Sequence, residues 1–367
     1  GVAAIRSALD EVPNEARPDT PSQRAFERLL ARPLLAPAPL DADRVPLSEL
    51  DGMLQAARWL HGIVPGVPAP EAVREWIAYR DLLAPFERLV GDHFRGRQPE
   101  LDRLGDYVGV QAASSVLQSL GRLVREVFDL REAPPLLVHG PGGSGKSTLI
   151  ARFVLDHARL ARSERFPFVY LDFDRPGLSA EQPATLLVEA VRQLTAQYPE
   201  HAERLRQTQR DWHRELRRQT GIKTRGGGPM WNVIPDFAAV LGDLGIGDQP
   251  LLFVLDTFEE VQHRGGHLVE NLGFFLMEMQ QAWPRLRTVL AGRSPIGRFP
   301  FRVETLPLNE LDPEAARGYL EAHGIPPEDA RPLARRLGGD PLTLALATKT
   351  WALAGREGLA GIDRTRR

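Results

Sequence analysis

Residues 139–148 read HGPGGSGKST, and no other stretch constrains the fold as much. The stretch follows the apolar run Leu136-Leu137-Val138 and precedes a helical pattern from Thr148 to Leu160. A strand must therefore enter a tight glycine-rich turn that opens directly into a helix, as in a sheet with helices packed on its faces. Glycines let successive backbone N–H groups converge on one point, and the helix N-terminus aims its positive end at the same place. Convergent donors with a single lysine call for a phosphate. The pattern G-x-x-x-x-G-K-S runs from Gly140 to Ser147, so Lys146 is expected at the β- and γ-phosphates of a nucleotide and Ser147 at Mg²⁺. Gly140, Pro141, Gly142, Gly143, Ser144, Gly145, Lys146, Ser147 and Thr148 are the candidate phosphate contacts. Lysine usage supports this reading. Of 46 basic residues only Lys146, Lys223 and Lys349 are lysines, so an ammonium persists where a compact charge suits better than a planar fork.

A nucleotide-bound Mg²⁺ needs a carboxylate at the end of another strand. Leu251 to Leu255 followed by Asp256 supplies one, and Glu259 or Glu260 just beyond is placed to orient or deprotonate an attacking water. The same residues also suit a helix cap and an acidic first turn. Arg293 closes the run Thr288 to Ala291 and Gly292, where it fits either a γ-phosphate sensor or a surface ion pair.

Around these sites, apolar runs at 136–138, 168–173, 251–255, 288–291 and 301–306 have strand character and are mostly separated by helical patterns. They predict an α/β domain. Helical patterns also cover 22–32, 48–63, 71–84, 112–130, 236–244 and 342–353, and the arginine-rich 198–219 reads as solvated. Gly226-Gly227-Gly228-Pro229 is a break, and Asp312-Pro313 is an N-cap with proline at the first helical position. The division is a helical, proline-rich region at 1–90 without evident chemistry, a nucleotide-binding domain at 91–310, a small helical domain at 311–353 and a polar tail at 354–367.

Several classes are excluded or disfavoured. Without cysteine there is no disulfide, thiolate metal site or cysteine nucleophile. A net charge of -2 argues against direct nucleic-acid binding. Trp212, Arg214, Arg217, Arg218, Lys223 and Arg225 therefore read as a solvated face with one packing aromatic. His263 and His267, separated by Gly265-Gly266, read as loop histidines rather than metal ligands. No apolar run is long enough to span a bilayer, and a cytoplasmic location is expected.

Further pieces carry a family resemblance. They are Phe94-Arg95-Gly96-Arg97-Gln98-Pro99-Glu100-Leu101, Asp256-Thr257-Phe258-Glu259-Glu260, Arg293 and Gly339-Asp340-Pro341-Leu342. In this order, over about residues 92–353, the chain resembles STAND-class P-loop NTPases, the signal-transduction group that includes NB-ARC and NACHT domains. The resemblance implies a three-layer αβα P-loop NTPase fold with a five-stranded parallel sheet of order 5-1-4-3-2, flanked by a helical N-terminal segment and a small C-terminal helical domain. It implies an adenine nucleotide, ATP or ADP, with Phe94, Arg95, Gly96, Arg97 and Pro341 closing the adenine side. It also implies slow hydrolysis, self-association in the ATP state, and winged-helix and repeat domains beyond the last helix, which would make the chain a fragment. Thr257 departs from the family pattern and leaves the catalytic base open. Two alternatives stand beside the switch: a ring ATPase with continuous turnover, using Arg298, Arg302 or the Arg214–Arg218 cluster against a neighbour, and a nucleotide-binding module of a transcriptional regulator that does not hydrolyse.

Overall fold

The computed structural model describes residues 47–62, 68–92, 94–110, 133–160, 164–219, 230–246, 249–297 and 299–359. The helical patterns at 22–32 and 112–130, the glycine break at 226–229, and Lys223, Arg225 and Arg298 lie outside the described residues. The chain divides into two units, residues 1–85 and 86–367. In the first, α1 (Leu47–Leu60) buries Leu50, Met53 and Ala57 at helical spacing. A second helix, α2 (Pro70–Val90), crosses the boundary and continues through Pro85, beyond the end expected at 84.

The second unit continues with α3 (Gln98–Val108), β1 (Leu136–His139), α4 (Lys146–Ala158), β2 (Phe168–Asp172), α5 (Ala184–Gln197), a 3₁₀ turn at Pro199–His201, α6 (Ala202–Gln219) and α7 (Met230–Asp243). It is completed by β3 (Leu251–Asp256), α8 (Glu259–Arg264), α9 (Gly266–Ala282), β4 (Leu286–Gly292), β5 (Glu304–Pro307), α10 (Pro313–Ala322), α11 (Pro327–Leu337) and α12 (Pro341–Gly358).

The strands form a parallel sheet of order β2-β3-β4-β1-β5, which is the expected 5-1-4-3-2 order seen from the other edge. Helices on both faces bury the central strands completely, so β3 and β4 are buried at every residue, and β3 reads as an apolar run up to Asp256. Register then decides where chemistry gathers. Asp172 pairs with Asp256, Leu255 with Leu290, and His139 with Gly292. The ends of β1 to β4 therefore align along one edge, and the glycine loop, Asp172, Asp256 and Arg293 emerge from it in a row.

The outer edge of β2 is satisfied by side chains. Gln193 of α5 accepts from the Tyr170 N–H and donates to its carbonyl, both at 2.8 Å. One turn on, Gln197 does the same for Phe168, at 3.0 and 2.7 Å. Helical i,i+4 spacing thus matches the i,i+2 spacing of strand residues facing the helix, and two glutamines complete an edge that would otherwise expose unpaired peptide groups. Behind them Leu187, Val191, Phe253, Phe237 and Trp212 belong to the main core. Leu205 and Trp212 face inward from α6, while Arg214, Arg217 and Arg218 are exposed.

Helices α10 to α12 enclose their own core, including Leu320, Ile325, Leu333, Leu337 and Leu344. Asp312 caps α10 by accepting from Ala315 N at 2.8 Å, and Asp340 caps α12 by accepting from Thr343 N at 3.1 Å.

Several boundaries differ from the sequence expectation. β4 begins at Leu286 because Arg287 is buried, its guanidinium donating to the Leu286 carbonyl at 3.0 Å, so a charged residue concealed the strand's start. β5 begins at Glu304; Phe301 and Val303 before it pack against the main core without pairing. His263 and His267 sit on α8 and α9, not in a loop, with the break confined to Gly265 at φ 130°. Helix α12 is broken at Gly355, whose φ is 58°, just past the expected end at 353, and a last turn follows to Gly358.

Candidate nucleotide-binding site

The glycine loop joins β1 to α4 and is held from two sides. Gly140 N donates to Gly292 O at 3.3 Å, and Leu308 N donates to His139 O at 2.7 Å. A Cβ at Gly140 would lie 2.8 Å from the Leu308 carbonyl, so close approach excludes any side chain there. Gly143 and Gly145 adopt φ of 78° and 90°, which favours glycine for a different reason. The loop carries the arrangement that its sequence demands: left-handed turns feeding a helix N-terminus. Lys146 is buried and folds back, its Nζ donating to Gly140 O at 2.8 Å and Pro141 O at 3.1 Å. Ser144 is buried as well, and its Oγ has no hydrogen-bond partner among the described residues.

Asp256 is buried at the end of β3. Its Oδ1 accepts from Thr257 N at 2.8 Å, its Oδ2 accepts the Tyr170 hydroxyl proton, and the Ser147 hydroxyl bonds to the same carboxylate. Burial pushes the Asp256 carboxyl above its ordinary range, against the lowering effect of those hydrogen bonds. Burial likewise raises the Tyr170 hydroxyl, and the neighbouring Asp256 charge adds to it, which keeps Tyr170 a proton donor. A hydroxyl and a carboxylate brought together at the mouth of the loop form a hard oxygen pair suited to Mg²⁺, so Ser147 and Asp256 fit their expected metal role.

Beyond β3 the chain turns sharply. Thr257 has φ 56°, a left-handed conformation rare for a β-branched residue, and its hydroxyl donates to Asp172 Oδ1 at 2.7 Å. The turn separates the two glutamates. Glu259 is buried, with Oε1 accepting from Arg293 Nε at 2.8 Å and Oε2 unpartnered among the described residues. Glu260 is half-buried. The Arg293 guanidinium also lies under the loop, with Cζ 3.6 Å from where a Cβ on Gly142 would stand. Glu259, Arg293 and Gly142 are therefore one cluster.

The Phe94–Arg97 box meets the loop from the opposite side. Gly96 and Arg97 both have φ of 70°, and a Cβ on Gly96 would lie 2.8 Å from Ala315 Cβ in α10. Arg97 is buried. It donates to Glu100 Oε1 at 2.9 Å, Asn309 O at 2.5 Å and Ser144 O at 3.3 Å. Its guanidinium is thus engaged in joining the box, the glycine loop and the segment after β5. The Phe94 ring faces Arg152 of α4, whose guanidinium is 5.5 Å from the ring centroid, and Arg95 is exposed. Gly339 approaches Leu311 so closely that a Cβ would stand 1.9 Å from its carbonyl oxygen, and Leu311 N donates to Gly339 O at 2.8 Å. This pairing fixes Pro341 at the start of α12.

Sequence reasoning missed Tyr170 and Asp172. Asp172 ends its strand as Asp256 ends the next, and Tyr170 is the polar-tipped residue of the apolar run FVYLD. Those were the available signals. Of the arginines considered for reaching a neighbour, Arg302 is exposed beside Pro134 and Pro135, which precede β1 and so lie at the end of the sheet opposite the glycine loop. Among the described residues no helix is long and apolar enough to cross a membrane.

Residues 93–276 match the family model described as an AAA ATPase domain. The chain is similar to a probable ATPase of Lysobacter enzymogenes, 26% identical over 79% of this chain and 29% of the relative. It thus spans less than a third of that relative's length. Among solved structures it is similar to the Walker-type ATPase PABY2304 of Pyrococcus abyssi, with 14% identity, 74% of this chain and 73% of that chain covered, and a TM-score of 0.40. It is similar to the ORC2 protein of Aeropyrum pernix, solved as ADPNP–ADP complexes, with 15% identity, 74% and 67% covered, and a TM-score of 0.40. It is also similar to a STAND protein with a tetratricopeptide repeat sensor from Pyrococcus horikoshii, with 15% identity, 71% and 30% covered, and a TM-score of 0.34.

Proposed function

Since the chain belongs to the AAA ATPase domain family, we propose that it is a nucleotide-controlled switch of the STAND type, with ADP holding one domain arrangement and ATP favouring another. The observation that carries this reading is Arg97. One guanidinium touches the Ser144 carbonyl in the glycine loop and the Asn309 carbonyl in the segment leading to the helices from 313 onward. A change in the loop when the γ-phosphate is present or absent reaches those helices through that contact, which supports a switch more directly than a freely turning engine. The operative unit is the nucleotide-binding domain at 91–310 with the small helical domain at 311–353.

In this reading the loop N–H groups from Gly142 to Lys146 hold the phosphates, and Lys146 leaves the Gly140 and Pro141 carbonyls for the β- and γ-oxygens. Ser147 and Asp256 hold Mg²⁺, which when bound neutralises charge on the transferring phosphate. Glu259 orients the attacking water through its unpartnered Oε2, and Arg293 fixes Glu259 from the other oxygen while standing beside the γ-phosphate position. Glu260 has no part in this step. The box at 94–97 and Pro341 close the adenine side, and the ATP-bound arrangement exposes surfaces for self-association.

The test is to denature protein purified directly from cells and identify released nucleotide by ion exchange, while following ATP turnover in a parallel sample. Stoichiometric ADP with slow turnover is expected. An empty site with rapid, sustained turnover would refute the switch in favour of a continuously cycling ATPase.

A further inference from the structure

A cavity of about 380 Å³ lies on the outer side of the sheet edge, between the loop after β2 and helices α5 and α6. Its wall includes Tyr170, Arg175, Glu189, Arg192, Gln209 and His213, over an apolar floor with Leu178, Val188 and Leu216. The size and the mix of apolar floor and few polar groups are those of small-molecule sites. Its cations are incompletely used. Arg175 reaches the Asp172 carboxylate only at 3.9 Å, and His213 and Gln209 of α6 line the wall across from it. Arg192 is paired bidentately with Glu189, at 2.8 and 2.7 Å, and is half-exposed. The acids facing the cavity are Glu189 and, behind Arg175, Asp172.

A continuous set of hydrogen bonds runs from this cavity to the metal-side carboxylate. Glu189 Oε1 accepts from Arg192 and also from Gln193 Nε2 at 2.8 Å. Gln193 in turn holds both peptide groups of Tyr170, at 2.8 Å each, and the Tyr170 hydroxyl donates to Asp256. We propose that this cavity binds a small organic anion, an apolar body with one anionic head held by Arg175 and Arg192, and that its occupancy alters nucleotide affinity through Glu189, Gln193 and Tyr170. An anion that draws Arg192 away frees Glu189 to hold Gln193 alone, and Gln193 sets the position of the strand carrying Tyr170. The coupling half rests on the reading of Asp256 given above; the binding half does not. By linkage the effect is reciprocal, so nucleotide must change anion affinity by the same factor.

The probe is 2-naphthoate, titrated by fluorescence into the full chain, with uncharged 2-naphthylmethanol as control. Binding of the anion in preference to the alcohol is expected, weakened about ten-fold or more by Arg175→Gln with Arg192→Gln, both surface changes. Saturating 2-naphthoate should shift the affinity for a fluorescent ADP about five-fold, within the usual range of such couplings. Gln193→Met, which lies outside the cavity wall, should keep anion binding and abolish that shift. Absent binding, binding indifferent to both arginines, or equal binding of the alcohol overturns the site. Arginine-dependent binding with unchanged ADP affinity overturns the coupling. A chain that binds 2-naphthoate but no nucleotide defeats the proposed switch and leaves the anion site standing.

Discussion

Arg97 permits a quantitative test because its backbone and its side chain act in opposite senses. The residue sits at φ 70°, where an L-residue is strained by about 1–2 kcal/mol. Its side chain is only 6% exposed, so its ion pair with Glu100 is little screened by solvent. The charged bond to Glu100 is worth about 1.5–2 kcal/mol, the bond to Asn309 about 1 kcal/mol and the long bond to Ser144 less. Arg97→Ala removes all three and retains the strain, and should destabilise the chain by about 3 kcal/mol. Arg97→Gly removes the same bonds and releases the strain, partly offset by the freedom glycine gains in the unfolded chain, and should cost about 2 kcal/mol. Urea unfolding of the full chain, read by tryptophan fluorescence and circular dichroism, gives both values, and nucleotide content of the purified variants should fall together with stability. Two losses under about 0.5 kcal/mol would show that the clasp contributes nothing. A glycine variant less stable than the alanine variant would refute the assignment of strain.

Other substitutions separate the roles in the site. Lys146→Ala should abolish nucleotide retention, measured by equilibrium dialysis with ADP, and unchanged binding would sink the phosphate assignment. Glu259→Gln should lower single-turnover hydrolysis about 10²-fold or more with ATP still bound, whereas Glu260→Gln should leave the rate within about two-fold; the reverse ranking would exchange their roles. Gly339→Ala places a methyl against the Leu311 backbone, which cannot rotate away, and should expose the segment around 308–312 to limited proteolysis without changing the main core. The pH test uses His157, whose pKa burial lowers and whose Nδ1 lies 2.8 Å from Phe153 O. A depressed folded-state pKa means stability is full above the unfolded value of about 6.5 and declines as pH falls through the folded value. His157→Phe, between Phe153 and Phe166, should therefore flatten the stability difference between pH 7.5 and 5.5 measured by urea titration, and an unchanged slope would place that acid sensitivity elsewhere.

The parts legible in the sequence share a physical cause: local chemistry that tolerates few arrangements. A strand buried on both faces must be apolar throughout, so Leu251 to Leu255 announced itself, and the glycine loop admits no side chains where Gly140 meets Leu308. Order along the chain also carried the sheet order, since each expected strand appeared and paired as the resemblance implied. What could not be read depends on contacts between distant segments. Arg287 hid the start of β4 because its burial is offset by carbonyls that only the folded turn supplies. The long-range bonds of Arg97 are of this kind, its donors going to Ser144 and Asn309, 47 and 212 residues away. Thr257 looked like a departure from pattern, and the fold uses its hydroxyl to tie the turn after β3 to Asp172. That tie bears on the mechanism. A β-branched residue held at positive φ beside the metal-side carboxylate persists only while Asp172 anchors it, and the turn it makes is what points Glu259 inward and leaves Glu260 half-buried. In the proposed mechanism the choice between the two glutamates, open in the sequence, follows from the strand next door: Asp172 holds Thr257, Thr257 sets the turn, and the turn brings the Glu259 carboxylate to Arg293.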